Sequence, residues 1–496
     1  MKTLSFRLVV SILAVMVLHS RAAAEDIDLY AGGGSASAPN VLFYLDNSSN
    51  WSANNQAWSY SSVLAKCGNY SGSARTTCQS YVYQIFCNST SACSGDPKLV
   101  QGQVEVRALK LVLNELACPP TGAAAVDINA GLMMFNSGSV DGNNVISGYI
   151  RHEIKPLKDQ CTVTDVTQSI IADLTNIDTN ITGSDFKGPS SAEYGAGLYE
   201  AFKYFGGWSR PSLVASGSGG TAGSPMGATG FGPTRYSTKN ALEDPNAFTN
   251  ATDRTIYKSP IDANSCGKNY IILIGNTWPN QEYGTDTSAS PYPTNTLMSR
   301  LRYDPGLQIY PTPLTTNDKT NVRFADEWAK FLYDTDVNST DGQQRVETFT
   351  IDVYNQSQDL KQAKLLQTMA AVGRGKVPGD YAGGYFAVGG DLLALINALK
   401  QTLTQIASVN SVFASASLPV SVNAQGTFLN QVFMGVFRPQ ESAYQRWAGN
   451  MKQYKFALNG NALYLADSTT DAAGNPNPAV DTSSGFILNC AASYGT

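Results

Sequence analysis

Charge is scarce in this 496-residue chain. Lys, Arg, Asp and Glu together make up 15% of it, against about 25% in an ordinary soluble domain. There is no basic block and the formal net charge is −5, so the positive footprint that nucleic-acid binding needs is missing. Histidine is scarcer still, with His19 and His152 alone, and no C-x-x-C spacing occurs. These two absences remove the usual zinc constellations. No G-x-S-x-G elbow, P-loop or G-x-G-x-x-G run is present. The glycine-rich "VGRGKVPG" (372–379) lacks both a preceding strand and a closing Lys-Ser/Thr. His152, in the charged run "YIRHEIK", reads as an exposed strand residue rather than a general base. The chain is therefore expected not to be an enzyme, with a secreted hydrolase sited in the inserts as the alternative.

Long apolar runs are also missing. The longest candidate, Leu8 to Leu18, is 11 residues, about half of what a membrane helix needs. Lys2 and Arg7 flank its start and Ala22-Ala23-Ala24 follows. A charged n-region, a short h-region and an A-x-A site make residues 1–24 a secretory signal peptide, so the chain is read as exported, with no membrane span after cleavage. Removing its three basic residues leaves 31 basic against 39 acidic side chains, a net charge of −8.

What is abundant fits export. Eight cysteines follow the signal peptide: Cys67, Cys78, Cys87, Cys93, Cys118, Cys161, Cys266 and Cys490. An even number in an exported chain implies disulfides. Four of them crowd into 67–93, where local pairs, Cys67 with Cys78 and Cys87 with Cys93, are expected. The sequence does not set the remaining connectivity.

Short apolar runs bounded by turns, "NVLFYLD" (40–46), "KNYIILIGN" (268–276) and "ETFTIDVYN" (347–355), read as strands covered on both faces. "AAVDINAGLMMFN" (124–136) and "VISGYIRHEI" (145–154) read as a pair of strands. Helical periodicity runs through 104–116, 194–205, 324–337, 359–373 and 391–409, the last with Asp391 at its start as a cap. Strands alternating with helices predict a parallel, doubly wound α/β sheet over 25–408. Stretches at about 51–100, 206–265 and 277–320 interrupt it as long inserts. From 409 to 496 the pattern alternates apolar and polar residues, with "NGNA" as a hairpin turn, which predicts a smaller β-rich domain. Its core is expected to include Val432, Phe433, Val436 and Phe437.

One stretch carries the candidate chemistry. In "NVLFYLDNSSNW" an apolar strand ends in Asp46, followed by Ser48, Ser49 and Asn50. Ligands of doubly wound sheets bind outside the carboxyl ends of strands. Asp46, Ser48 and Asn50 offer the oxygen set that a hard cation such as Mg²⁺ or Ca²⁺ prefers. The alternative is an Asx turn or a helix cap made by Asp46 or Ser48.

"PNVLFYLDNSSNW" resembles the first strand and metal-ion-dependent adhesion site of von Willebrand factor A-like domains, whose pattern is D-x-S-x-S. "GLYEAFKYF", "CGKNYIILIGN", "FADEWAKFLYDTDV", "TFTIDVYN" and, most specifically, "SVNSVFASASLPVSVNAQGTFLNQVFMGVFRP" with "RWAGNMKQYKF" and "LYLAD" are similar to the type IV pilus biogenesis and tip-adhesin PilC/PilY family. The resemblance implies a von Willebrand factor A-like domain with long inserts. It also implies a role in pilus assembly or adhesion at the periplasm, outer surface or pilus of a bacterium, with a purely structural pilus or secretion assembly factor without ion-dependent binding as the alternative. The implied partners are pilins or minor pilins and a host or matrix surface. The family's following β-propeller is not in this sequence, so a separate propeller-bearing chain is also an expected partner. Carried over residue by residue, Asp46 and Ser48 match the first two ligand positions, Asn50 replaces the second serine, and Asn276 replaces the second aspartate. Ala192, flanked by Ser190 and Ser191, stands at the threonine. With Asp46 as the sole charge, any Mg²⁺ or Ca²⁺ is expected to be held weakly at a degenerate site of Asp46, Ser48, Asn50 and Asn276.

Overall fold

The computed structural model describes residues 38–119, 126–135, 148–160, 163–165, 168–183, 194–208, 242–261, 268–276, 278–279, 325–338, 340, 344–354, 357–409, 413–415, 432–438, 448–459, 462–470, 474–480 and 492–494. The chain divides into two compact units, Ser37–Asn410 and one that holds Ser411–Thr496.

A six-stranded sheet forms the middle of the first unit. Its strands are β1 (Asn40–Leu45), β2 (Asn129–Phe135), β3 (Gly148–Pro156), β4 (Asn269–Gly275), β5 (Val346–Asp352) and β6 (Tyr385–Ala387). Their order across the sheet is β3-β2-β1-β4-β5-β6. All pairings are parallel except the β2–β3 edge pair, which is antiparallel. The fold is thus mixed α/β with a mostly parallel central sheet. Eight helices of the unit are described: α1 (Tyr60–Lys66), α2 (Gly72–Cys87), α3 (Gln101–Ala117), α4 (Ile170–Thr179), α5 (Tyr194–Gly206), α6 (Ala325–Asp334), α7 (Leu360–Val372) and α8 (Leu392–Val409).

The pleat of β1 shows why its run is apolar throughout. Successive side chains of a strand point to opposite faces. Val41, Phe43 and Leu45 enter one apolar layer, with Val104 and Leu109 of α3, Leu174 of α4 and Leu399 of α8. Leu42 and Tyr44 enter the other, with Leu198 and Phe202 of α5, Phe331 of α6 and Leu366 of α7. Helices on both faces leave no solvated side for polar residues. Asp391 caps α8 as expected, accepting from the N–H groups of Leu393 (2.9 Å) and Ala394 (3.2 Å).

The 51–100 insert carries α1 and α2, and its Val82, Ile85 and Phe86 join the core. Disulfides Cys67–Cys78 and Cys87–Cys93 staple it, with Cα separations of 5.6 and 5.1 Å. Cys118 is also disulfide-bonded, while Cys161, Cys266 and Cys490 lie outside the described residues. His152 is fully buried rather than exposed. Its strand is the sheet edge, but residues 242–261 of the second insert cover it: Asp244 N–H donates to the Ile150 carbonyl at 3.0 Å, and Phe248 and Tyr257 join the layer that holds Ile150 and Ile154. The 277–320 insert lies outside the described residues apart from 278 and 279.

The second unit holds a five-stranded antiparallel meander: β7 (Phe413–Ser415), β8 (Val432–Arg438), β9 (Ala448–Asn459), β10 (Ala462–Thr470) and β11 (Pro476–Pro478). Asn459 pairs with Ala462, so two residues connect β9 to β10, matching the expected hairpin. Phe433, expected in the core, is 36% exposed and stands opposite Gln453 in the register. The side chains of Val432, Val436 and Phe437 lie outside the described set.

No helix among the described residues is long and apolar enough to cross a membrane.

Candidate functional site

In this strand order the chain leaves β1 first toward β2 and later returns to its other side as β4. The crevice at the carboxyl ends of β1 and β4 is therefore the topological switch point, where doubly wound sheets bind ligands. Asp46 follows β1 there, and Asn276 follows β4. The Asp46 N–H donates to the Ile274 carbonyl at 2.9 Å, carrying the ladder one step past the strand.

The turn after β1 is an Asx turn: the Ser48 N–H donates to Asp46 Oδ1 at 3.1 Å. Ser48 Oγ donates to the same oxygen at 2.5 Å. Ser48 occupies the N-cap position of the short 3-10 turn Ser49–Ser52 but makes no side-chain cap there, since its hydroxyl is committed to Asp46. The other carboxylate oxygen, Oδ2, accepts from Tyr194 Oη at 2.6 Å and from the Asn276 N–H at 3.2 Å. Asn276 Nδ2 donates to the carbonyls of Asp46 and Ser48, the latter at 3.3 Å. Asn50 Nδ2 reaches the Asn276 carbonyl at 3.3 Å. All four predicted residues, Asp46, Ser48, Asn50 and Asn276, therefore meet in one network. Ala192, Ser190 and Ser191 lie outside the described residues.

Two participants were not anticipated from the sequence. Tyr194 opens α5, and nothing in "EYGAGLYE" marks its hydroxyl as reaching β1. Asn47, read past in favour of the hydroxyl residues, binds both peptide groups of Phe135, accepting from its N–H at 2.8 Å and donating to its carbonyl at 3.0 Å. A side-chain amide thus imitates a strand residue and ties the end of β1 to β2.

Asp46 is fully buried. Burial raises its carboxyl above the ordinary value, against the pull of the hydrogen bonds from Ser48, Tyr194 and Asn276. Burial and the adjacent Asp46 push the Tyr194 phenol well up, so it remains a donor. Glu105 of α3 is also fully buried. Burial first, and the Asp46 charge as well, hold its carboxyl well above the usual range, against the hydrogen bond from Gln101. Asp352 at the end of β5 is raised by burial while Gln358 (2.8 Å) and Tyr385 (3.0 Å) donate to its Oδ2.

This donor set does not fit a resident divalent cation. A hard cation needs open oxygen lone pairs, preferably on more than one carboxylate. Asp46 is the sole carboxylate of the network, and each of its oxygens already accepts two protein hydrogen bonds. No group of three His, Cys, Asp or Glu side chains suited to a metal occurs among the described residues.

Beside the network opens a polar cleft of about 190 Å³, bounded by Asn50, Asn276, Gln101, Gln362, Asp352 and Tyr354 among others. Asn276 and Asp352 in its lining place it at the carboxyl ends of β4 and β5.

No family model matches the chain, and no curated protein matches it. Among solved structures, the crystal structure of the human COPII-coat protein Sec24c is similar at 10% identity over 76% of this chain, with a TM-score of 0.25. The match spans about a third of that chain, 32% of its length, and so loose a superposition carries no functional argument.

Proposed function

We propose that this chain is an exported type IV pilus-associated protein acting in pilus assembly or adhesion through a von Willebrand factor A-like domain. The observation that carries the reading is the strand order β3-β2-β1-β4-β5-β6 with one antiparallel edge strand, capped at its central tip by Asp46 and Ser48. Segments that resemble the PilC/PilY family build this edge: "GLYEAFKYF" lies in α5, "KNYIILIGN" makes β4 and "TFTIDVYN" makes β5. The disulfides Cys67–Cys78 and Cys87–Cys93 are compatible with an exported protein.

In this reading the partners are pilins or minor pilins, a separate propeller-bearing chain, or a host or matrix surface. No catalytic step is assigned. The Tyr194–Asp46 contact favours a version in which the edge meets its partner without a divalent ion, so the site of Asp46, Ser48, Asn50 and Asn276 serves as a structural turn.

Deleting the gene in its bacterium and complementing with the parent or with Asp46→Ala tests this. Pilus number and surface attachment should fall on deletion, and attachment by the complemented parent should survive a chelator. Unchanged pili and attachment after deletion would refute the pilus role. Attachment abolished by the chelator would refute the ion-free version.

A further inference from the structure

The cleft at the β1–β4–β5 edge contains polar groups that the protein leaves unsatisfied. Asn276 is 4% exposed and Gln362 is 3% exposed, yet Asn276 Oδ1 and Gln362 Nε2 have no hydrogen-bond partner. A buried polar atom left without a partner is destabilising, and a ligand that supplies the partner removes that cost. Both residues line the cleft. A Cβ built on Gly275 would lie 3.4 Å from Gln362 Nε2, so that amide packs against the backbone just before Asn276. One is an acceptor in want of a donor, and the other is a donor in want of an acceptor.

Three more residues of the lining hold oxygens with no hydrogen bond described. Gln101 spends its amide N–H groups on Glu105 Oε1 and the Val353 carbonyl, each at 3.1 Å, which leaves Oε1. Asn50 spends Nδ2 on Asn276 and keeps Oδ1. Asp352 accepts at Oδ2 and keeps Oδ1. A matching ligand must donate to several oxygens and accept at least once.

That requirement separates ligand classes. None of the described residues lining the cleft is basic, and Asp352 and Asp359 are among them, so an anion is repelled. An ammonium or a metal ion accepts nothing and would leave Gln362 Nε2 unanswered. Neither carboxylate is wholly available to a cation either: Asp359 Oδ1 caps α7 through Lys361 N–H at 2.8 Å. A hydroxyl both donates and accepts. Trp278 and Tyr354, half-buried in the wall, offer aromatic surface to the C–H face of a ring.

From this complementarity we infer that the cleft binds a neutral pyranose residue of a glycan through Asn276, Gln362 and the oxygens of Gln101, Asn50 and Asp352, with Trp278 and Tyr354 against the ring. The inference rests on the chemistry of the cleft and not on the pilus reading. Binding by purified protein tests the former and bacterial attachment the latter, so the two fail separately.

The test is ligand-observed saturation-transfer NMR on the purified secreted chain. The probes are methyl glycosides of glucose, galactose, mannose, fucose, xylose and N-acetylglucosamine, with sialic acid, methylammonium and calcium chloride as competitors. At least one neutral glycoside should receive saturation. Gln362→Met, which keeps the volume and removes the donor, should weaken its binding about fivefold to tenfold, the effect of one lost hydrogen bond. Trp278→Ala should weaken it as well, and it serves as the readout if Gln362→Met lowers the thermal midpoint. No transfer from any glycoside, or transfer untouched by Trp278→Ala, overturns the proposal. So does displacement of the glycoside by methylammonium, sialic acid or calcium at equal concentration.

Discussion

Tyr194 Oη donates to Asp46 Oδ2 at 2.6 Å across 148 residues of sequence, inside a fully buried site. The phenol occupies the carboxylate lone pair that a bound cation would otherwise use. Tyr194→Phe should therefore do two things. It should destabilise the chain by about 1–3 kcal/mol, because a buried acceptor loses a donor. It should also make the thermal midpoint respond to millimolar Ca²⁺ or Mg²⁺ more than that of the parent. A parent midpoint that responds more than the variant's would show that Asp46 is not saturated by its protein donors.

The buried acids set a pH dependence. Asp46, Glu105 and Asp352 are all raised by burial. Asp173 is pushed up to about 6, again by burial, despite its ion pair with Arg151. Each folded pKa lies above its unfolded value, so the stability these groups contribute is present below the unfolded pKa and is lost as pH rises through the folded one. Thermal midpoints should be higher at about pH 5 than at about pH 7.5. Glu105→Gln, which can still accept from Gln101, should flatten the difference. A midpoint that climbs from pH 5 to 7.5 would contradict this assignment.

Asn47 serves as a backbone substitute between β1 and β2. Asn47→Ala leaves the N–H and carbonyl of Phe135 facing each other's vacancy in a buried position and should cost roughly 2–4 kcal/mol, with each unpaired group contributing. Asn47→Asp keeps an acceptor for the Phe135 N–H but turns a carboxyl oxygen toward the Phe135 carbonyl and buries a second carboxyl beside Asp46, so urea unfolding at pH 7 should place it at or below Ala. Equal midpoints for all three would remove Asn47 from the framework.

The disulfides close short loops, with separations of 11 and 6 residues. Chain entropy assigns each about 2–3 kcal/mol. Cys67→Ser with Cys78→Ser should lower the free energy of local opening of α1 and α2 by that amount. The accelerated hydrogen exchange should be confined to α1 and α2, with the central sheet unaffected. Exchange that speeds up equally in β1 and β4 would show the helical pair to be integral to the sheet.

Much of this architecture was legible because the physics is local. Apolar runs of strand length, flanked by polar turns, located β1, β4 and β5. The period of 3.6 located α3 and α5 to α8. Asp46, Ser48 and Asn50 were placed at one edge by reading where the first strand ends, and Asn276 was added by the resemblance to von Willebrand factor A-like domains. What stayed hidden depends on distant partners. The α2 sequence "GSARTTCQSYVYQIFC" carries little periodicity, and its helix is held by cross-links and by the packing of Val82, Ile85 and Phe86. β6 is three residues long, too short for alternation to register. His152 looked exposed because its strand is charged, and the cover from 242–261 comes about 90 residues later in the chain. Tyr194 was missed because an apolar helix face predicts burial of a tyrosine ring and says nothing about what its hydroxyl will meet.

The alternation of β1 makes that strand a partition. The residues it sends to one side never share a cluster with those it sends to the other, so the domain is built as two half-cores on a common wall. Among the described residues the inserts add mainly to one half each: Trp51, Trp58 and the residues of α1 and α2 thicken the layer behind Phe43, to which Leu242 of the second insert also packs, while Phe248, Tyr257 and Ile261 thicken the layer behind Tyr44. Growth on one side leaves the fit on the other untouched. A sheet of this kind can acquire long, unrelated elaborations on either flank and still hold the Asp46 edge in the same place.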